Sequence, residues 1–137
     1  MDFYLSDINK NKDNIYKGDN IIHLHKKDFK INKKEKVFIN NPIFNNRNGF
    51  LIIYSPFCEI CKNHAEQWEE YATLLQNRFI VSVLNAYGPD NEISSYLNVK
   101  GYPTIKLVKL DGSLDNIPFL SMEEYFNLML IYSEKPI

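Results

Sequence analysis

Cysteine is scarce in this chain, which has only two among 137 residues. A single disulfide is too little for the framework of a small disulfide-rich fold, and a chain of this length can form a hydrophobic core without one. An excess of charge of one sign is also lacking, since 16 basic and 17 acidic residues give a formal net charge of −1. We therefore expect one folded domain, with no nucleic acid and no anionic membrane as a partner.

Long apolar runs and targeting signals are missing as well. No apolar stretch approaches the roughly 20 residues of a spanning helix, and no glycine-rich phosphate loop or nucleophile-elbow motif occurs. Residues 1–7 lack the basic-then-apolar order of a secretory signal, and residues 133–137 do not match an endoplasmic-reticulum retention signal. We therefore expect a cytoplasmic protein.

Both cysteines lie in one motif, Cys-Glu-Ile-Cys at 58–61. The apolar run 50–54 before it predicts a buried strand, and the periodicity after it predicts a helix over about 58–76. The free backbone N–H groups at a helix N-terminus favour a thiolate over a thiol. The pair is therefore a candidate for redox chemistry or for metal binding.

Within the predicted helix, apolar and aromatic residues recur at three- and four-residue spacings. The predicted buried stripe consists of Ile60, His64, Trp68, Tyr71 and Leu75. The acidic pair Glu69 and Glu70 is predicted to lie on a solvated face of this helix.

The rest of the chain predicts strands that alternate with helices. Residues 1–19 are polar and aperiodic, so we expect an N-terminal extension there, poorly ordered or a short added element, before a domain over 20–137. Further strands are predicted at 21–24, at 79–84 and in a hairpin around the Asp-Gly turn at 111–112. A strand or packed loop is predicted at 37–39, after a charged stretch at 26–36. Helices are predicted at 91–97, capped by Asp90 or Asn91, and at 121–132, where Ser121 and Glu124 form a capping box. This order predicts an α/β fold with a mixed central β-sheet flanked by helices.

A second motif stands at 99–105, Val-Lys-Gly-Tyr-Pro-Thr-Ile. Pro103 is at the entry to a predicted strand, where a cis Tyr102–Pro103 bond would explain it. This motif and Tyr-Ser-Pro-Phe-Cys-Glu-Ile-Cys-Lys at 54–62 together resemble the cis-proline and active-site segments of the thioredoxin-like superfamily. Within it they are most similar to protein disulfide isomerase domains, whose active site reads Tyr-Ala-Pro-Trp-Cys-Gly-His-Cys-Lys.

The resemblance implies a thioredoxin fold and thiol–disulfide exchange with protein substrates. Cys58 would be the exposed nucleophile that forms a mixed disulfide, and the more buried Cys61 would resolve it. The residues implied in substrate contact are Phe57, Tyr102, Pro103 and Thr104. No organic cofactor or metal is required, because the disulfide between the two cysteines is the redox group. A reductase or a sulfhydryl oxidase must reset the pair.

Several positions depart from the family pattern. Ile52 stands six residues before the first cysteine, where the family has a buried Asp or Glu that moves protons. Glu59 and Ile60 replace the central Gly-His of the isomerases, and Glu66 replaces a helix proline. Glu59 brings a negative charge beside the thiolate, which Lys62 and the helix N-terminus partly offset. We expect these changes to tune the site and to make the pair less oxidising than an isomerase, closer to thioredoxin.

Two other interpretations stay open at this point. Cys58, Cys61 and His64 have metal-ligand spacing, and His23 or His25 would have to supply the fourth ligand of a structural zinc site. Alternatively, loss of the buried acid favours a slow or redox-inactive thioredoxin-fold module that only binds proteins.

The composition is rich in asparagine, isoleucine and lysine, which is typical of an AT-biased coding sequence. A cytoplasmic virus that builds its own disulfide-forming relay would fit this composition, and the protein would then be viral or virion-associated. The direction of exchange in the cell depends on the compartment and the partner as much as on the pair itself.

Overall fold

The computed structural model describes residues 14–134. Its strands are β1 (Ile21–His23), β2 (Phe29–Ile31), β3 (Val37–Ile39), β4 (Gly49–Tyr54), β5 (Ile80–Asn85), β6 (Thr104–Val108) and β7 (Leu114–Asn116). Its helices are α1 (Glu59–Leu74), α2 (Asn91–Tyr96) and α3 (Met122–Glu134), with short 3-10 turns at Lys26–Asp28 and Pro42–Phe44. Between residues 14 and 134, no helix has the length and apolar character needed to cross a membrane.

Five strands form the central sheet in the order β1-β5-β4-β6-β7. β5 runs parallel to β1 and β4, whereas β6 runs antiparallel to β4 and β7. The predicted mixed sheet is therefore confirmed, including the hairpin between β6 and β7. β2 and β3 pair antiparallel in a small second sheet, so the charged stretch at 26–36 contains a strand that its composition did not predict.

β4 is the central strand, and all six of its residues are buried. Its first residue must be glycine, because a Cβ at Gly49 would lie 2.5 Å from the carbonyl oxygen of Ile80 and 2.7 Å from the Phe44 ring. The strand ends at Tyr54, four residues before the first cysteine. A strand fixed on both sides by neighbouring strands therefore sets the position of the cysteine motif.

Each face of the central sheet has its own hydrophobic core. Phe50 and Ile52 of β4 point to one face, where Trp68 of α1 and Tyr125 of α3 cover them. The opposite face is covered by α2 and by the β2–β3 sheet. Cys61, in the first turn of α1, belongs to the first of these two cores, and Cys58 packs against it.

The buried face of α1 differs from the predicted stripe. Its fully buried residues are Cys61, Ala65, Trp68 and Ala72, followed by Leu75 just beyond the helix. Ile60 is 45% exposed, and His64 and Tyr71 are only half-buried. The helix begins at Glu59 with its second cysteine turned into the core, and this rotates the buried face by about one residue from the prediction.

The two predicted helix caps have different outcomes. The capping box of α3 is confirmed, because the Ser121 N–H donates to Glu124 at 3.0 Å and the Glu124 N–H donates to the Ser121 hydroxyl at 3.1 Å. Asp90 occupies the N-cap position of α2, but its side chain makes no cap hydrogen bond. It lies instead 3.0 Å from His25 Nδ1 and accepts from the Lys26 N–H at 2.8 Å.

Part of the predicted N-terminal extension packs onto the domain. Residues 1–13 lie outside the described residues, whereas Tyr16 is 0% exposed and belongs to the same core as α1. Its ring meets the Tyr54 ring edge-on, with centroids 4.9 Å apart. Tyr16 is therefore a core residue within a segment, residues 14–19, that the sequence analysis assigned to a polar extension.

Glu69 holds this N-terminal segment against α1. Its Oε1 accepts the backbone N–H groups of Lys17 and Gly18, the latter at 3.1 Å. One turn further along the helix, the Thr73 hydroxyl accepts from the Asn20 side chain at 3.1 Å. The prediction of a solvated face is therefore wrong for Glu69, because the chain crosses back over that face, while Glu70 is exposed.

Candidate active site

Cys58 and Cys61 lie at the point where the loop after β4 turns into α1. Cys58 is the N-cap residue of the helix, and its sulfur accepts a hydrogen bond from the Cys61 N–H at 3.2 Å. Both residues are free thiols, but Cys58 is half-buried while Cys61 is only 1% exposed. The outer sulfur is therefore the one that another molecule can reach.

The second sequence motif lies against this pair. The Tyr102–Pro103 peptide bond is cis, and the Cys58 thiol donates a hydrogen bond to the Tyr102 carbonyl oxygen at 3.5 Å. Thr104 begins β6, and its hydroxyl donates to the Gly101 carbonyl oxygen at 2.7 Å. The fold thus brings the cysteine motif and the proline loop together at the end of the sheet where β4 ends and β6 begins.

Exposed apolar side chains adjoin Cys58. Phe57, Ile60 and Tyr102 all belong to the two motifs and are exposed. Tyr87 is also exposed, and its ring meets the Phe57 ring edge-on with centroids 4.9 Å apart. We call Phe57 and Tyr87 the aromatic pair. Exposed apolar groups near a reactive sulfur are suited to contact with an apolar segment of another protein.

The interior beneath the cysteines is apolar. Ile52 is completely buried in β4, between Val83 of β5 and Ile105 of β6, so the position six residues before Cys58 supplies no acid. Tyr16 provides a polar group in this core, a buried hydroxyl without a hydrogen-bond partner among the residues that the structure describes.

The inner thiol holds its proton tightly. Burial raises the pKa of Cys61, and its hydrogen bond with Cys58 raises it further. Burial, followed by the nearby Cys61, also raises the pKa of Tyr16, so this phenol is neutral across the physiological range. The site therefore combines an accessible sulfur at a helix N-terminus with an inner sulfur that must lose a proton before it can react.

The charges next to Cys58 largely cancel. Glu59 and Lys62 lie one helical turn apart with Oε2 and Nζ 3.9 Å from each other, and both side chains are exposed. Exposed ion pairs of this kind contribute little energy. The helix N-terminus, whose Cys61 N–H donates to the Cys58 sulfur, is therefore the main electrostatic feature beside that sulfur.

The model of the thioredoxin family matches residues 25–118. The chain belongs to the thioredoxin family. Bovine (Bos taurus) protein disulfide-isomerase A5 is 32% identical to it over 89 residues, a match that covers 62% of this chain and 15% of that protein. The chain thus corresponds to a small part of this curated relative.

Solved thioredoxins share the fold of this thioredoxin-family chain. Spinach chloroplast thioredoxin f, long form, has a TM-score of 0.66 at 14% identity and covers 84% of this chain and 87% of its own. A thioredoxin f2 solved in complex with ferredoxin:thioredoxin reductase has a TM-score of 0.61 at 16% identity, with 81% and 93% covered. At these identities the likeness concerns the fold alone, and the predicted thioredoxin fold is confirmed.

The thioredoxin fold brings most of the predicted site residues together and adds two that the sequence analysis missed. Cys58 contacts Tyr102, and the exposed Phe57 directly precedes Cys58 in the chain. Glu59 and Lys62 are exposed in the first helical turn. Tyr87 was missed, although an aromatic residue just after β5 is placed beside the end of the parallel neighbour β4. Tyr16 had no periodic pattern to indicate it.

The described residues offer no set of ligands for the alternative of a metal site. Among residues 14–134, no group of three His, Cys, Asp or Glu side chains is arranged to hold a metal ion. His25 is engaged with Asp90, and neither it nor His23 joins the two cysteines. The redox interpretation of the pair is the one that the described geometry supports.

Proposed function

We propose that this chain is a dithiol–disulfide oxidoreductase that exchanges disulfides with protein substrates through Cys58 and Cys61. The observation that carries the proposal is the setting of the Cys58 sulfur. It accepts the Cys61 N–H at a helix N-terminus and lies 3.5 Å from the carbonyl oxygen of the residue before the cis-proline. Membership of the thioredoxin family supports this reading, as does the identity to a protein disulfide-isomerase.

In the first step the Cys58 thiolate attacks one sulfur of a substrate disulfide. A bond forms between Cys58 and that sulfur, the substrate S–S bond breaks, and the second substrate sulfur leaves and takes up a proton. The backbone N–H groups at the start of α1 stabilise the attacking thiolate. The substrate remains attached to the protein through a mixed disulfide.

In the second step Cys61 loses its proton and attacks the Cys58 sulfur. The Cys58–Cys61 disulfide forms, the bond to the substrate breaks, and the released substrate sulfur takes up the proton that Cys61 gave up. Two electrons have then passed from the cysteine pair to the substrate. The same steps in reverse transfer a disulfide to a reduced substrate, so the pair itself is the redox group and no metal or organic cofactor takes part.

The substrate is held by the exposed surface around Cys58. The aromatic pair of Phe57 and Tyr87 offers apolar contact. The Tyr102 carbonyl oxygen lies 3.5 Å from the sulfur, and Pro103 and Thr104 follow it in the chain. An extended chain segment with an apolar residue near its cysteine fits such a surface. We propose a reductase or a sulfhydryl oxidase as the partner that resets the pair. The thioredoxin f2 neighbour, solved with a reductase, is a precedent on the same fold.

Turnover with a protein disulfide tests the proposal. The purified protein should catalyse the reduction of insulin by dithiothreitol and the refolding of scrambled ribonuclease. Cys58→Ser should abolish both, and Cys61→Ser should accumulate mixed disulfide because the second step is blocked. The reading as an enzyme fails if the wild type and Cys58→Ser are indistinguishable.

A slow or redox-inactive binding module is the second candidate, and Ile52 favours it. A buried alkyl side chain cannot accept the proton that Cys61 must release. This candidate predicts that the wild type still binds unfolded protein chains while the turnover assays give the result of Cys58→Ser.

A further inference from the structure

The second step of the proposed reaction creates a negative charge in an apolar environment. Cys61 is almost completely buried, and its neighbours in the core include Ile52, Ala65 and Trp68. A thiolate there is unfavourable unless a polar group donates a hydrogen bond to it. The backbone of Ser55 and of Cys61 itself favours this thiolate, but burial outweighs both and keeps the pKa of Cys61 raised. A further donor close to Cys61 would therefore assist the second step.

Tyr16 is the candidate for this donor, because it interacts electrostatically with Cys61. It lies in the same core as Cys61 and is completely buried, and its hydroxyl has no hydrogen-bond partner among the described residues. A buried hydroxyl without a partner is unfavourable for folding, so its presence needs an explanation. Burial, followed by the nearby Cys61, raises the pKa of Tyr16, so the phenol keeps its proton and remains a donor.

The position of Tyr16 is fixed from several sides. The Tyr54 ring packs edge-on against it, and Glu69 binds the backbone N–H groups of the next two residues. The Ile21 N–H donates to the Gly18 carbonyl oxygen at 3.3 Å, which joins the segment to β1. These contacts hold the N-terminal segment in place, so the Tyr16 side chain has a fixed position in the core.

We propose that Tyr16 is a positioning residue whose hydroxyl donates a hydrogen bond to the Cys61 thiolate as it forms in the second step. This inference rests on the proposed function of the cysteine pair and extends it. The phenol keeps its own proton throughout. The proton of Cys61 still passes to the sulfur that leaves, so Tyr16 changes the stability of the thiolate and not the balance of the reaction.

Several titratable groups face Tyr16, and each could affect the pH dependence of this step. Cys61, Tyr54, Cys58 and Glu69 interact with it electrostatically, and the ring of His23 faces its backbone. Only Cys61 has to gain a negative charge in the second step, so its titration should dominate the pH profile of that step.

The test uses an aromatic disulfide whose thiolate is coloured, such as dithiobis(nitrobenzoate), with the reduced full-length protein. Attack by Cys58 releases the first coloured thiolate and leaves a mixed disulfide. Attack by Cys61 then releases the second and forms the intramolecular disulfide. Stopped-flow absorbance therefore follows the two cysteines as two successive phases.

Tyr16→Phe should leave the first phase unchanged and slow the second by about ten- to a hundredfold, the range expected for a lost hydrogen bond to a charged group. The pH at which the second phase reaches half of its maximal rate should rise by about one to two units. The thermal midpoint should stay the same or increase, because the ring is retained and a buried hydroxyl without a partner is removed. A second phase that keeps its rate and pH profile would overturn the proposal.

Two matched variants remove other buried hydroxyls. Tyr125→Phe removes a hydroxyl in the same core that donates to the Pro118 carbonyl oxygen and accepts the Leu120 N–H, so it should lower stability and leave both phases unchanged. Tyr54→Phe removes the neighbouring phenol. If it slows the second phase and Tyr16→Phe does not, Tyr54 is the donor and the proposal for Tyr16 is wrong.

Failure of this inference and failure of the proposed function give different results. If the wild type shows two phases and reduces insulin but Tyr16→Phe behaves identically, only the role of Tyr16 is rejected. If the wild type shows no second phase, the cysteine pair does not form its disulfide, and both proposals are rejected together.

Discussion

The thiol of Cys58 donates a hydrogen bond to the carbonyl oxygen of Tyr102, although 44 residues separate them in the chain. This contact joins the loop after β4 to the loop before β6, and these two strands are neighbours in the sheet. A substrate sulfur that approaches Cys58 must therefore approach the proline loop as well. Phe57 of the aromatic pair directly precedes Cys58 in the chain, and the contribution of the pair can be measured separately.

Removal of the aromatic pair should weaken binding of protein substrates and spare the chemistry. Phe57→Ala and Tyr87→Ala should each raise the KM for a protein substrate by about two- to tenfold, because an aromatic contact is worth about 0.5–1.5 kcal/mol beyond its buried area. The first phase with the small coloured disulfide should be unaffected. Leu74→Ala is the matched control, since Leu74 is also exposed but lies at the opposite end of α1. An equal rise in KM for Leu74→Ala would contradict a specific role.

Loss of the Glu69 carboxylate should loosen the N-terminal segment. Hydrogen bonds to charged groups are worth about 1.5–3 kcal/mol, and because this site is partly exposed we expect Glu69→Ala to lower the free energy of unfolding by about 1–2 kcal/mol. The same variant should slow the second phase, since Tyr16 is then held less firmly. Urea denaturation and the two-phase assay measure these effects. Glu70 is exposed and next in sequence, so Glu70→Ala should change the free energy of unfolding by less than about 0.5 kcal/mol. Equal losses of unfolding free energy in the two variants would show that Glu69 does not hold the N-terminal segment.

The reduced protein should lose stability as the pH rises above the pKa of an ordinary thiol. The pKa of an unfolded cysteine is about 8.5, and burial raises the pKa of Cys61 in the folded protein. Between these two values the unfolded chain releases the proton and the native protein keeps it. The stabilisation is therefore complete below about pH 8.5 and decreases at higher pH, by up to about 1.4 kcal/mol per pH unit.

Urea unfolding of reduced wild type and Cys61→Ala, compared from about pH 7 to pH 10, isolates this contribution. Other groups that titrate in the range are common to both proteins. They include Lys106, whose pKa is lowered by burial and which acts in the opposite sense. The difference in unfolding free energy should narrow as the pH rises, and parallel curves would refute the prediction.

The cysteine couple should be a weaker oxidant than an isomerase. Equilibration with glutathione should give a reduction potential more negative than about −180 mV, the isomerase value, because Ile60 places no cation beside the thiolate and Glu59 is paired with Lys62. Ile60→His should raise the potential by about 10–20 mV at a pH where the imidazole is charged, which corresponds to roughly 0.3–1 kcal/mol of stabilisation of the thiolate. A wild-type value above −180 mV would contradict the argument.

Local signals in the sequence predicted much of the fold and the surface of the site. The apolar run of β4, the Ser121 capping box and the strand-entry position of Pro103 all depend on neighbours within a few residues. The roles of Glu69 and Tyr16 could not be predicted in this way, because their contacts join segments about 40 to 50 residues apart. The face that α1 buries was also missed, since it depends on which way Cys61 turns at the first residues of the helix.

The residues that match the family model do not include all the elements that pack into this domain. A fragment trimmed to the matched residues 25–118 would lack β1, Tyr16 and the whole of α3. Trp68, whose ring lies 5.3 Å from that of Tyr125, would then face water, and Cys61 would lose its enclosure. Such a fragment would contain both motifs that carry the family resemblance and yet expose the inner sulfur to oxidants from which the intact protein shields it.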